Sequence, residues 1–250
     1  MSRSNPTDNT PNPATVWYEW AGKDGNLKYY DKEKKENITR DLPFTFLLLD
    51  QLACVKGWSD ACASGITSNE VRDTRSEAMT VRVFSGPTIA EGLYKDIKDK
   101  AKAAGGKFVS NLYIGFKQDG KLVLGSIQFK GAALQAWGDF KNENKNAVFT
   151  HAITITGTKD GKKGSVTFKV PTFALKEISK ETNEEANLLD ATLQSYLAGY
   201  LKRTKATVSP EAGAHAVDAL IPPNPTETGK LPENQKYPEG DDFDEESIPF

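Results

Sequence analysis

The chain has 250 residues and a mass of 27.4 kDa, with 38% hydrophobic and 26% charged residues and a mean hydropathy of −0.54. That is room for one large domain or two small ones with a modest core, alongside segments that do not fold. No stretch reaches the roughly 18–20 apolar residues of a membrane helix, and no apolar stretch follows Arg3 in the first fifteen residues, so neither a membrane span nor a secretory leader is expected and a cytoplasmic chain is.

Charge is unevenly placed. The total is −2, but the chain up to Val208 carries +6 and the segment from Ser209 to Phe250 carries −8. A basic body followed by an acidic end points to a polyanionic ligand. Only Cys54 and Cys62 are present, eight apart, and only His151 and His215. Neither a disulfide framework, nor a zinc site, nor a Ser/His/Asp triad is expected from so few groups, and no cofactor is.

In chain order, residues 1–15 hold three prolines and no apolar cluster and are expected to be disordered. The stretch 16–31, VWYEWAGKDGNLKYYD, reads as a hairpin turning at Gly22–Asn26, followed by the charged connection KEKKENITRD. LPFTFLLLDQLACVKGW from Leu42 reads as a long buried strand, GITSNEV as a second and MTVRVFSG as a third. After Pro87, the fourfold spacing of Ile89, Leu93, Ile97 and Ala101 predicts a helix stopped by Gly105-Gly106. KFVSNLYIGF and LVLGSIQF form a hairpin about Asp119-Gly120. AALQAWGDFKNENK reads as a short helix, and a third hairpin is expected with Asp160-Gly161 at its tip. Residues 183–203 form an amphipathic helix, acidic first and basic last. Beyond it a Pro-rich stretch without periodicity reads as disordered.

The predicted fold is mainly β (α+β). Strand, strand, strand, helix, strand, strand between Leu42 and Phe129 is the order of a five-stranded OB barrel with its helix between strands three and four, here elaborated by extra hairpins and a C-terminal helix. The organisation is 1–15 disordered, 16–205 an OB-like domain, 206–240 a flexible linker and 241–250 an acidic tip.

The last ten residues, DDFDEESIPF, interleave five acids with Phe243 and close on Ile248, Pro249 and Phe250. Such a motif suits a pocket that takes an aromatic ring while basic groups hold the carboxylates. This ending resembles the C-terminal tip of bacterial single-stranded DNA-binding proteins. The body, through LPFTFLLLDQL and GITSNEV, resembles the replicative single-stranded DNA-binding proteins of tailed phages. The resemblance implies an OB fold, sequence-tolerant binding of single strands during replication, recombination and repair, a bacterial host cytoplasm, and a tail that recruits replication or recombination proteins. It assigns partner binding to Asp241, Asp242, Asp244, Glu245, Glu246, Ile248, Pro249 and Phe250, with Ser247 interrupting the acidic run.

Binding single strands without sequence preference takes a basic groove for phosphates and aromatic faces for unstacked bases. The candidates are Trp17, Trp20 and Tyr30 in the first hairpin, Arg72, Arg75 and Arg82 around the second and third barrel strands, and Lys107, Tyr113 and Lys130 around the second hairpin. The bland alternatives are core packing for the aromatics and ion pairs with Glu70, Asp73 and Glu77 for the arginines. Neither GxxxxGK[ST] nor GxGxxG is present, and the tail carboxylates lack the rigid framework of a metal nuclease, so no catalysis is expected. The rival readings are a strand-annealing recombination protein and an acidic interaction module that mimics DNA.

Overall fold

A computed structural model describes residues 10–207. Its strands are β1 (Val16–Ala21), β2 (Asn26–Asp31), β3 (Glu36–Arg40), β4 (Phe44–Ser59), β5 (Ser64–Ser68), β6 (Met79–Val83), β7 (Thr88–Gly92), β8 (Gly106–Gln118), β9 (Lys121–Lys130), β10 (Ala152–Lys163) and β11 (Val166–Lys176). Three helices, α1 (Tyr94–Ala103), α2 (Gly131–Asn144) and α3 (Lys180–Thr207), and a short 3-10 turn at Ala147–Phe149 complete it. The fold is therefore mainly β with packed helices, as the sequence predicts.

All eleven strands join one sheet in the order β3-β2-β1-β9-β8-β4-β5-β6-β7, with the β10–β11 hairpin attached to the start of β4. Every pairing is antiparallel except β1 with β9. At sixteen residues, β4 is long enough to serve three partners. Its first residues meet β10, its last meet β5, and β8 runs along its other edge, with a register shift between Leu48 and Asp50. Among the described residues no pair joins β6 or β7 to β9. The sheet is open and eleven-stranded, not a five-stranded barrel.

Alternation along the strands divides the sheet into two apolar faces. One holds Phe44, Phe46, Leu48 and Val55 of β4, Leu112 and Ile114 of β8 and Ile127 and Phe129 of β9, covered by α1 and α2. Trp137 of α2 sits at its centre, 1% exposed, ringed by Phe46, Phe129, Phe140 and Phe173, with its indole N–H given to Gln51 Oε1 at 3.2 Å. The opposite face presents Leu52, Tyr113 and Leu124 to α3, whose Leu193, Tyr196, Leu197 and Tyr200 fall on one stripe at helical spacing. Burying each of Leu193 and Leu197 completely contributes about 1.5–3 kcal/mol to docking this helix.

Several local expectations change. The helix expected from Pro87 starts only at Tyr94, because Thr88–Gly92 is strand β7 paired with β6. Ile89 and Leu93 thus precede the helix, whose own buried residues are Ile97 and Ala101. The charged connection after the first hairpin ends in strand β3, paired to β2. The third hairpin turns at Gly164 (φ 59°) rather than at Asp160-Gly161. There Gly161 pairs with Phe168, whose ring occupies the space a Cβ would fill, and Asp160 pairs with Lys169 at 2.6 Å. Within the segment expected to be disordered, Asn12, Ala14 and Thr15 are held. Asn12 donates to the Tyr113 hydroxyl at 3.2 Å, Thr15 N–H to Leu124 O at 2.8 Å, and Ala14 is buried.

Candidate nucleic-acid interface

The structure scatters the sequence-derived candidates. Trp20 is buried and gives its indole N–H to Lys169 O at 3.0 Å, so its ring is core. Tyr113 is fully buried beneath α3 and donates to Glu70 Oε2 at 2.8 Å. Neither ring offers a face to a base, which corrects both expectations. The reason is the same in each case: a neighbouring element covers that side of the sheet. Trp17 is half-buried against the α3 cluster, and Tyr30 is half-buried on β2 opposite Asn37. Arg72 is committed to Asp50, at 2.9 Å and 2.7 Å, and to Gln194 of α3 at 2.9 Å. Lys130 pairs with Glu19, and Arg75 is exposed in the turn after β5. The acidic tip residues lie outside the described residues.

Two candidates do converge, together with residues that sequence reading passed over. Register places Lys107 of β8 directly opposite Lys56 of β4, Lys56 opposite Thr67 of β5, and Thr67 opposite Arg82 of β6. Four adjacent strands therefore carry one transverse row with three cations and a threonine. The rows on either side carry Val55, Phe108, Ile66 and Val81 of the core beneath α1 and α2, so the cation row lies on the opposite face, the one that α3 packs against further along the sheet. Lys56 and Lys107 are half-exposed, whereas Thr67 and Arg82 are buried. Like charges directly opposite each other in a sheet are unfavourable, and an anion laid across them reverses the sign.

A second row on the same face runs beside the first, about 7 Å further along the strands. Trp58 of β4 lies opposite Gly65 of β5, and Phe84 continues the ladder one residue past β6, its N–H bonded to Gly65 O at 2.7 Å. The Ser64 hydroxyl donates to Phe84 O at 3.2 Å and fixes that end. Trp58 and Phe84 are both half-buried, as Trp17 and Tyr30 are. The signal for these residues was present as period-two alternation, Cys54-Lys56-Trp58 against Val55, and Arg82-Phe84 against Val81 and Val83. What sequence alone lacks is the cross-strand register that aligns them.

Local packing keeps this end of β4 in place. A Cβ at Gly57 would meet Gly105 O at 2.1 Å, and a Cβ at Gly105 would meet Trp58 O at 2.2 Å. Two glycines thus let the connection from α1 to β8 lie directly against the strand, and Gly105 also takes a left-handed φ of 98°. Lys100 and Lys102, in the last turn of α1, lie at the same end.

Near the cation row is a buried polar node. The Glu70 carboxylate accepts from Asn111 Nδ2 at 2.7 Å and from the Tyr113 hydroxyl at 2.8 Å, and Glu70 N–H donates to the Tyr200 hydroxyl at 2.9 Å. Burial pushes the Glu70 carboxyl above its ordinary range, while Lys56 and the two hydrogen bonds pull it back. Burial likewise raises the Tyr113 and Tyr200 hydroxyls, with the Glu70 charge adding to it. The Cys54 thiol is pushed up to about 12, also by burial, so it is not a nucleophile at neutral pH. Among the described residues no group of three or more His, Cys, Asp or Glu side chains is placed to hold a metal ion, and no helix is long and apolar enough to cross a membrane.

Compared with protein-family models, curated proteins and solved structures, the chain finds no match.

Proposed function

We propose that this chain is a single-stranded DNA-binding protein of replication and recombination, a binder rather than a catalyst, that engages single strands on the face of β8, β4, β5 and β6 that carries Lys56 and Trp58. The observation that carries this reading is the directly opposed pair Lys56 and Lys107 in line with Arg82, beside a parallel row bearing Trp58 and Phe84. Phosphates suit the first row, and unstacked bases, each worth roughly 1–3 kcal/mol against an aromatic face, suit the second. Stacking on an aromatic face is tolerant of base identity, which fits binding with little sequence preference. Two further points support it. In an OB-like reading, β4, β5 and β6 are strands one to three and β8 and β9 strands four and five, with α1 before the fourth and β7 as an insertion. The first strand then bonds both the second and the fourth, and the ligand face of such a fold is that of strands two and three. The −8 segment after Val208 supplies an acidic competitor for the same cations and, at its Phe-ended tip, a docking peptide for replication or recombination proteins.

The test is a titration of fluorescent oligo-dT and of a matched duplex with the full chain and with a chain ending at Lys230, over a range of salt. The reading expects tight binding of the single strand, weaker binding of the duplex, and an affinity that rises on truncation, most at low salt where screening is least. Equal binding of duplex and single strand, or binding of neither, overturns it.

A further inference from the structure

Gly65 is out of place on sequence grounds. A glycine inside a strand weakens it, and is found at bulges, at close backbone approaches, or where a ligand comes near the chain. The first explanation does not apply, because β5 pairs with β4 and with β6 without a register shift. Nor does the second: a Cβ built on Gly65 would have only Gly57 O nearby, at 4.0 Å, chain neighbours aside. The backbone is in ordinary strand conformation, with no left-handed φ to require glycine. What remains is an open notch between two aromatic residues. Trp58 is one strand away on one side, and Phe84 is one strand away on the other.

We propose that Gly65 is the floor of a slot that admits one nucleobase between the Trp58 and Phe84 side chains, while Lys56 and Lys107 hold the flanking phosphates. This rests on the reading of the chain as a single-strand binder and assigns the base subsite within it. Two strand steps put the flanking residues about 9.5 Å apart, and a base stacked at about 3.4 Å on each face takes roughly 7 Å of that, leaving the side chains only a small lean to close on it. Any side chain at position 65 would stand in that space. The charge beside the slot selects a polyanion over an apolar peptide, and stacking between two aromatic faces makes the slot tolerant of base identity.

The experiment compares the full chain with its Gly65→Leu and Trp58→Leu variants, reading affinity for oligo-dT and for an abasic strand of equal length, with thermal melting in parallel. In the wild type the base contributes a preference for oligo-dT over the abasic strand. The Cβ of Gly65→Leu meets nothing nearer than Gly57 O at 4.0 Å and replaces a strand-weakening glycine, so melting of this variant is not lowered. Its oligo-dT affinity falls between ~5-fold and ~150-fold towards the abasic value, and Trp58→Leu does the same. Equal oligo-dT affinity in wild type and in both folded variants overturns the slot. A wild type that binds neither strand removes the underlying single-strand reading instead, and the two failures are thereby distinguished.

Discussion

Replacing Lys107 by Gln separates what the opposed lysines do for the fold from what they do for the ligand. Lys107 faces Lys56 directly across the β4–β8 ladder, and a like-charge pair in that position costs about 0.2–1 kcal/mol. Removing one charge relieves that repulsion and leaves the attraction between Lys56 and Glu70 in place. For a folded region of this size 1 kcal/mol moves the midpoint by about 2–4 °C, so relief of the repulsion raises the midpoint by at most ~4 °C, offset by the loss of the other interaction Lys107 makes. Binding moves the other way. Each phosphate contact contributes about 0.7 to the slope of log affinity against log salt for single strands, so the slope falls by about that amount. Between 50 mM and 200 mM salt, a fourfold change, this amounts to a ~2.6-fold smaller loss of affinity in the variant than in wild type. Calorimetric melting and salt-dependent anisotropy titration of oligo-dT read both effects, and Lys107→Arg is the control that keeps the slope. An unchanged salt slope in a folded Lys107→Gln chain refutes the reasoning.

Three further outcomes follow from the buried groups around the interface. Glu70 has its carboxyl pKa raised by burial in the folded chain, so the folded state binds a proton more tightly than the unfolded one. Stability is then lost as pH rises from the ordinary carboxyl value through the raised one, and Glu70→Gln flattens that part of a melting-versus-pH profile. Tyr200→Phe removes the acceptor for the Glu70 N–H. Leaving this buried donor unsatisfied costs about 1–3 kcal/mol, seen as a lower denaturant midpoint with an unchanged slope. Gly57→Ala drives a Cβ to 2.1 Å from Gly105 O, an overpacking against backbone that costs about 1–3 kcal/mol or more. It also weakens oligo-dT binding by shifting Trp58, measured by the same titration.

Where residues are governed by local chemistry, the sequence is a good guide. Asp119 and Gly120 have φ of 50° and 79°, the left-handed pair that a two-residue hairpin requires, and the Asp-Gly dipeptide announces it. The long apolar run from Phe44 and the amphipathic stripe of α3 are equally plain. The β7–α1 junction is less so, because Ile89, Leu93 and Ile97 satisfy helical spacing although only Ile97 lies in the helix. Pairing of Thr88–Gly92 with β6 decides the matter, and that is a tertiary choice. The site is harder still. Tyr113 and Trp58 are both strand aromatics two residues from a buried asparagine or a lysine, yet one is sealed beneath α3 and the other is only half-buried. Which of them meets solvent depends on where a helix some eighty residues after Tyr113 comes to rest, and no local pattern encodes that.

The claim that single strands bind across Trp58, Gly65 and Phe84 is tested most directly by photo-crosslinking the full chain to 5-iodouracil-substituted oligo-dT, followed by tryptic mapping. The account predicts adducts in the peptide from Gly57 to Arg72, at Trp58, and in the peptide from Val83 to Lys95, at Phe84, both competed away by unlabelled oligo-dT. Adducts confined to the first hairpin, at Trp17 or Tyr30, with none in those two peptides, contradict it.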